Sequence, residues 1–217
     1  IYGLPEQTMG ELAKDIECAL SFNTTHLSLY NLTIEPNTQF FVKKPIGLPD
    51  NDTCYAMQDL IVNRLNVHGF KRYEVSAYAT DNNFCAHNLN YWQFGDYLGI
   101  GAGAHSKLSF HDRIIRQVRQ KHPQTYMDNV DSSKHIIEDK IVTNEELPFE
   151  FMLNALRLCD GFAASLFVER TGLSLNTILK QLNLAQAKGL VNMLGGKIVP
   201  TTLGLNFLND LLLLFLD

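Results

Sequence analysis

The 217-residue chain lacks most features that mark secreted and membrane-spanning proteins. Its four cysteines form no CxxC pair, which excludes a dense disulfide scaffold and a local zinc loop and favours a reducing compartment. Its longest apolar run, Leu211 to Leu216, is far shorter than the ~20 residues that a membrane-spanning helix needs. We therefore expect a soluble, cytoplasmic protein without an integral membrane segment.

Basic residues are also scarce: the chain has 18 lysines and arginines and 23 acidic residues, which gives a net charge of −5. Residues 1–104 hold 6 basic and 11 acidic side chains, and the remainder holds 12 of each. Because phosphate contacts dominate affinity for nucleic acids, this balance predicts no nucleic-acid partner. The hydrophobic fraction of 46% is that of an ordinary globular protein with one or two domains.

The chain opens without an initiator methionine and in the middle of an apolar pattern. Ile1 and Tyr2 resemble the end of a strand whose beginning is missing. We therefore expect a fragment of a longer protein.

Hydrophobic periodicity in residues 1–79 predicts alternating helices and strands. A capping box at Thr8–Glu11 opens the first helix, and His26–Ile34 is typical of a strand. A second helix is expected from about Asp52 to Gly69, and Arg72–Ala79 alternates like another strand. This order predicts an α/β fold with a parallel sheet, outer helices and too few strands to close a barrel.

Beyond residue 85, the pattern predicts a short helix over 88–94, a glycine-rich strand over 98–104 and an irregular polar segment over 110–145. The remainder is typical of a compact helical module that is winged-helix-like from about residue 145. Its expected parts are a helix begun near Pro148, a segment Phe162–Arg170, a Ser174-capped helix, a hairpin over Leu190–Val199 and a Thr202-capped helix; its inward-facing positions are Leu175, Ile178, Leu179 and Leu182.

The block His87, Asn88, Tyr91 and Trp92 carries the densest chemistry of the chain. On a helix His87 and Tyr91 share one face, with Asn88 and Trp92 on the adjoining face. Two interpretations stay open from the residues alone: a buried cap whose polar groups bond to backbone, or ligation of a heme-like iron by His87. Likewise, His105 is either a second ligand or a histidine at a strand end.

Other candidates have weaker patterns. The glycines at 99, 101 and 103 do not form GxGxxG and no helix follows, so a close backbone or ligand contact explains them better than a dinucleotide site. Glu35 and Glu74 are expected near strand ends, where α/β sheets hold ligands; each is either a general acid or hydrogen-bond acceptor for a cofactor, or an ordinary solvated residue at a strand end. The basic stretch 113–121 suits either carboxylates such as porphyrin propionates or solvent. The helix 174–188 has too few cations for a DNA reader.

Five segments resemble the oxygen-independent coproporphyrinogen III oxidase-like radical S-adenosylmethionine proteins, and most of all their HemW subgroup of heme chaperones. These segments are Ile1–Thr8, Leu27–Pro36, Tyr73–Ala79, Cys85–Trp92 and Tyr97–His105, and Pro148–Phe151 also fits. The resemblance implies that residues 1–106 are the C-terminal remainder of a partial (β/α)6 radical SAM barrel. Residues 107–217 would then be a HemN-type C-terminal domain.

The resemblance also implies the cofactors. The full-length parent would hold a 4Fe–4S cluster on a CxxxCxxC loop and S-adenosylmethionine, and His87 would bind heme. Thr33 and His105 would lie near the S-adenosylmethionine site, with Asn31 and Glu35 as weaker candidates. This chain has no CxxxCxxC loop. We therefore expect no iron–sulfur cluster, no tightly bound cofactor and no activity in the fragment alone.

Two functions follow from the resemblance. In the first, the parent binds heme and delivers it to recipient apo-hemoproteins. In the second, it is an oxygen-independent oxidase that decarboxylates coproporphyrinogen III to protoporphyrinogen IX. The His-Asn-x-x-Tyr-Trp block favours the first. Whether the parent is an enzyme stays open at this stage, and no catalytic residue is identified.

Overall fold

The computed structural model describes residues 1–132 and 134–216. The chain divides into two compact units, residues 1–85 and residues 86 onward, and each is described here by itself. The sequence-based boundary after residue 106 falls inside the second unit. Within the described ranges, no helix is long and apolar enough to cross a membrane.

The first unit combines helices with short strands. Along the chain, its elements are α1 (Met9–Ser21), β1 (His26–Ser28), α2 (Gln39–Val42), α3 (Asn51–Val67), β2 (Lys71–Glu74) and β3 (Ala77–Ala79). The capping box is confirmed, because the Thr8 side chain accepts from the Glu11 N–H and the Glu11 carboxylate accepts from the Thr8 N–H. Asp50 caps α3 in a similar way, through the Thr53 N–H.

The strands of the first unit do not form the parallel sheet that the alternation predicts. β3 lies between β1 and β2 and pairs antiparallel with both. Two predicted strands are correspondingly wrong in extent. Residues 72–79 turn at Val75 and Ser76 into a hairpin, and the first predicted strand ends at Ser28. The parallel pairing found in this unit is an isolated bridge between Tyr2 and Asn31.

Helices α1 and α3 supply the apolar core of the first unit. Their buried side chains recur at helical spacing and pack with aromatic residues from the chain start and from the strands. The members are Tyr2, Leu12, Ile16, Met57, Ile61, Leu65, Phe70 and Tyr78. The helical periodicity predicted for both segments is therefore confirmed.

The second unit is richer in strands than the sequence predicts. Its first part contains α4 (Ala86–Trp92), β4 (His105–Ser109), β5 (Ile114–Arg119), α5 (Pro123–Asn129) and β6 (Ile136–Ile141). The expectation of an irregular segment over 110–145 is wrong, because β5 lies between β4 and β6 in an antiparallel sheet. Consecutive polar residues in β5 and β6, such as Glu138, Asp139 and Lys140, made these strands resemble a polar loop in the sequence.

The last part of the chain is mostly helical, as predicted. It contains α6 (Leu147–Ala155), β7 (Phe162–Ala163), α7 (Ala164–Thr171), a 3-10 turn (Leu175–Thr177), α8 (Leu179–Ala187), β8 (Val191–Leu194), β9 (Lys197–Pro200), α9 (Thr202–Asn206) and α10 (Leu208–Leu213). The predicted hairpin is confirmed as β8 and β9, and β7 pairs with the free edge of β9.

Three local predictions in this part need correction. Ser174 caps the 3-10 turn, and α8 begins only at Leu179 without a side-chain cap. Thr201, one residue earlier than expected, caps α9 by accepting from the Gly204 N–H. Leu179 is 40% exposed, whereas Ile178 and Leu182 are buried as predicted.

Phe151 lies at the centre of the core of the second unit. Its side chain is fully buried and meets the rings of Phe94, Phe162 and Phe167 edge to face, with ring centroids 5.2 to 5.6 Å apart. Such aromatic contacts add to the free energy gained by burying the rings. Phe94 follows α4 directly, so this core also supports the segment that carries the candidate site.

We expect Phe151→Ala to lower the free energy of unfolding by about 3–5 kcal/mol, because it leaves a cavity among three rings. Leu153→Ala is the matched control, since Leu153 lies on the same helix and is 44% exposed. Urea denaturation of both variants measures the difference. Equal unfolding midpoints would show that Phe151 does not organise this core.

Candidate functional site

Helix α4 presents an imidazole and a phenol side by side. His87 is exposed, and its ring lies 4.8 Å from the ring of Tyr91, one helical turn later, at an interplanar angle of 72°. The predicted shared face is therefore confirmed. Neither ring nitrogen of His87 has a hydrogen-bond partner among residues 1–132 and 134–216, so its lone pair is available. The interpretation of His87 as a buried cap is wrong.

Trp92 belongs to the inner side of α4. Its indole packs against the core of the second unit, and the guanidinium of Arg157 lies 4.3 Å from its ring centroid. Asn88 is half-buried and has a polar partner. The four residues of the motif thus divide between an open edge with His87 and Tyr91 and a supporting side with Trp92.

Tyr97 joins the open edge of α4 to the sheet. Its ring lies 4.5 Å from that of Tyr91, and its backbone exchanges two hydrogen bonds of 3.0 Å with Lys107 in β4. Its hydroxyl accepts a 2.8 Å hydrogen bond from Nη1 of Arg116 in β5. Arg116 also pairs with Glu150 in α6. Burial raises the pKa of Tyr97, so its hydroxyl is neutral at physiological pH.

The glycine-rich stretch is a turn and not the predicted strand, because β4 begins only at His105. At Gly99 a Cβ would lie 2.1 Å from the carbonyl oxygen of His105, so only glycine permits this backbone approach. Gly101 and Gly103 have φ of +104° and +72°, which glycine adopts most readily. The close-contact explanation is therefore confirmed for Gly99, whereas Gly101 and Gly103 are explained by their positive φ.

An ion pair between the buried Lys107 and the partly exposed Asp96 holds the turn and β4 together. Lys107 is 1% exposed, and its ammonium donates to the Asp96 carboxylate at 2.9 Å, to the Phe94 carbonyl at 3.0 Å and to Ser109 at 2.9 Å. Burial lowers the pKa of Lys107. For Asp96, burial alone would raise the pKa, but hydrogen bonds from Lys107 and Ser109 outweigh it and lower the pKa overall.

The basic stretch 113–121 is largely occupied by the protein itself. Arg116 bonds to Tyr97 and Glu150, and Nε of the buried Arg119 donates to the Gly99 carbonyl at 3.3 Å. Arg113 pairs with the adjacent Asp112. These contacts make the arginines elements of the fold and leave little of the stretch for a carboxylate ligand.

The remaining candidates are scattered. Thr33, Asn31 and Glu35 are exposed in the first unit, and the Thr33 hydroxyl donates to the Asn31 carbonyl at 3.4 Å. Glu74 is 1% exposed within β2. In the second unit, the exposed His105 begins β4. In the part of the chain that the structure describes, no group of three His, Cys, Asp or Glu side chains is arranged to hold a metal ion.

Sequence reasoning did not identify Lys107 or Arg157, and it did not predict that Arg116 and Glu150 support the candidate site. Tyr97 and Glu150 lay inside recognised motifs, but their shared partner Arg116 comes from β5, in the segment that was expected to be irregular. The pairing of β4 with β5 places Arg116 opposite Lys107.

The fold matches that of a known class. Residues 142–207 match the family model for the HemN C-terminal domain. The solved structure of coproporphyrinogen III oxidase (HemN) from Escherichia coli, described as a radical SAM enzyme, superposes with a TM-score of 0.74 over 99% of this chain and 53% of that chain. At 19% identity this likeness shows the fold alone.

Relatives with higher sequence identity carry the name heme chaperone HemW. The chain is 40% identical over 217 residues to heme chaperone HemW of Escherichia coli strain K12, covering 100% of this chain and 56% of that protein. It is 39% identical over 217 residues to heme chaperone HemW of Haemophilus influenzae, of which it covers 55%. The chain therefore spans about half the length of these curated relatives. The predicted resemblance is confirmed: the chain is related over its whole length to the HemW proteins.

We expect Asp96→Asn to destabilise the protein by about 1–3 kcal/mol, because it leaves the buried Lys107 ammonium without its counter-charge, while water screens part of the interaction at the 43% exposed Asp96 side chain. The pKa of Asp96 is lowered on folding, so its stabilising contribution is present above the ordinary value of 3.8 and is lost as the pH falls below it. The difference between variant and wild type should therefore shrink in acid. Urea titrations at pH 7 and pH 3 measure it.

The control for this experiment is Asp112→Asn, which breaks the exposed pair with Arg113 and should change stability little. If Asp96→Asn were as stable as wild type at pH 7, the ion pair between Lys107 and Asp96 would not hold this region together.

Proposed function

We propose that this chain is the C-terminal part of a heme chaperone, a protein that binds heme through His87 and delivers it to apo-hemoproteins. The observation that carries this proposal is the exposed His87 imidazole, whose nitrogens have no partner in the described chain and which stands against Tyr91. The relatives named heme chaperone HemW, aligned over the whole chain, support it.

The residues present fit a heme ligand site. A histidine with an available nitrogen is a usual protein ligand of heme iron. Heme, when bound, would supply the iron for this bond. The phenol of Tyr91 restricts rotation of the imidazole, because the two rings meet edge to face. Leu98 and Ile100, 62% and 81% exposed, add apolar surface in the turn after Tyr97. Trp92 contributes from behind, by fixing α4 to the core.

An exposed site with one ligand suits transfer better than storage. His87 lies on a helix of seven residues at the surface, so a recipient protein can approach it without unfolding the core. Asn88, on the adjoining face, is proposed to orient the ligand ring and not to bind the iron.

The missing part of the parent is proposed to complete a radical SAM barrel that holds the 4Fe–4S cluster and S-adenosylmethionine. The HemN fold and the parallel bridge between Tyr2 and Asn31 support this proposal. Residues 1–106 would then be the end of a partial (β/α)6 barrel, with Thr33 and His105 near the S-adenosylmethionine site. The module from about residue 145 would be winged-helix-like, with the β8–β9 hairpin as its wing.

The partners and location of the parent are also proposals. Heme or another porphyrin and apo-hemoproteins are the expected partners, and nucleic acid is not. The cytoplasm is the proposed compartment, because no disulfide joins cysteines among the described residues and a reducing environment preserves thiols.

We expect His87→Ala to remove or strongly shift the heme Soret band of the natural-length protein, since it deletes the proposed ligand. Asn88→Ala should have a smaller effect, because it changes only the orientation of the ring. Alanine is well tolerated in a short surface helix, so the fold should persist. Heme titrations followed by absorbance compare these variants with wild type.

His111→Ala is the control for the loss of one exposed imidazole elsewhere in the second unit. If wild type and His87→Ala bound heme with the same affinity and spectrum, the ligand would lie elsewhere and the proposal would fail.

Coproporphyrinogen III oxidation is the second candidate function, and the likeness to the HemN fold is the observation that favours it. An anaerobic turnover assay with coproporphyrinogen III and the natural-length protein separates the two. The chaperone proposal expects heme binding without decarboxylation, and catalytic formation of protoporphyrinogen IX would favour the oxidase.

A further inference from the structure

A continuous row of rings connects His87 to the interior of the second unit. The imidazole lies 4.8 Å from the ring of Tyr91, and Tyr91 lies 4.5 Å from the ring of Tyr97. Tyr97 is half-buried, whereas His87 is exposed. The row therefore runs from the proposed iron ligand at the surface to a side chain anchored in the sheet.

The inner end of the row is held by charge. The Tyr97 hydroxyl accepts from Nη1 of Arg116 at 2.8 Å, and Arg116 forms a salt bridge with Glu150. The side chains of Arg116 and Glu150 are only 23% and 28% exposed, which makes this pair stronger and less mobile than an ordinary surface pair. Strand β5 and helix α6 supply the two residues, so the anchor belongs to the rigid part of the unit.

The backbone of Tyr97 is equally restrained. It exchanges two hydrogen bonds with Lys107. Lys107 is itself buried and forms a salt bridge with Asp96, the residue that precedes Tyr97 in the chain. Tyr97 therefore has a fixed main chain and a fixed hydroxyl. Tyr91, by contrast, lies on a short helix, and its ring contacts the rings of His87 and Tyr97.

We propose that Tyr97, fixed by Arg116 and Glu150, is a positioning residue that sets the orientation of the His87 imidazole through the ring of Tyr91. The inference rests on the proposed function, because it assigns a role in heme ligation. Tyr97 does not bind the iron. Its ring limits the positions open to Tyr91, and Tyr91 limits the rotation of the imidazole plane, which determines how the ligand nitrogen meets the iron.

The test compares Tyr97→Leu, Tyr97→Phe and Arg116→Gln in the natural-length protein loaded with ferric heme. Tyr97→Leu removes the ring and should weaken heme affinity about 10-fold, the low end for loss of a residue that orients a metal ligand. It should also broaden the electron paramagnetic resonance signal of the ferric heme, because the imidazole takes several orientations. Tyr97→Phe keeps the ring and should restore affinity to within about threefold of wild type.

Arg116→Gln keeps both rings and loses the charged anchor, so it should weaken heme affinity about threefold and broaden the signal measurably, in both respects less than Tyr97→Leu. It also replaces Tyr97→Leu as the deciding variant if circular dichroism shows that the leucine variant does not fold. Wild-type affinity and signal width in the folded Tyr97→Leu variant, or in Arg116→Gln if that variant decides, would overturn the inference.

His87→Ala separates this inference from the function on which it rests. If that variant keeps wild-type heme binding, the proposed function itself fails. If it loses heme while folded Tyr97→Leu binds like wild type, only the positioning role of Tyr97 is refuted.

Discussion

The buried ammonium of Lys107 is the constraint on which the candidate site depends. It collects the carboxylate of Asp96, the carbonyl of Phe94 and the hydroxyl of Ser109 in one place, and it lies 4.1 Å from the centroid of the Phe94 ring. A charge buried this deeply is tolerated only when its partners are fixed. The segment between α4 and β4 is therefore tied to the sheet, and the outer face of α4 takes its place from that attachment.

Two supports of different kind converge on α4. Trp92 attaches the inner side of the helix to an apolar core centred on Phe151, and Arg157 covers its ring. Tyr91 attaches the outer side to Tyr97 and, through it, to Arg116 and Glu150. The only member of the motif left with an available nitrogen and an open approach is His87. The indole thus anchors the helix, the phenol supports its outer side and the imidazole stays accessible, which explains why the three groups occur together on one turn.

The sequence predicted well where the determinants are local. The Thr8–Glu11 capping box, the periodic helices and the Gly195–Gly196 hairpin depend on near neighbours, and so does the pairing of His87 with Tyr91. It failed where pairing between distant segments decides the outcome. Residues 98–104 resemble a strand in composition, yet the approach of Gly99 to His105 and the positive φ of Gly101 make them a turn. The partners of Tyr97 were hidden for the same reason, because charged β5 resembles a solvated loop until β4 and β6 enclose it.

The central claim is that the His87 imidazole binds heme iron, and nitrogen hyperfine spectroscopy tests it most directly. The natural-length protein would be labelled with ¹⁵N-histidine, loaded with ferric heme and measured by electron spin echo envelope modulation. The account predicts a coupling to one histidine nitrogen in wild type that disappears in His87→Ala. A coupling that persists in His87→Ala, or the absence of any histidine coupling in heme-loaded wild type, would contradict it.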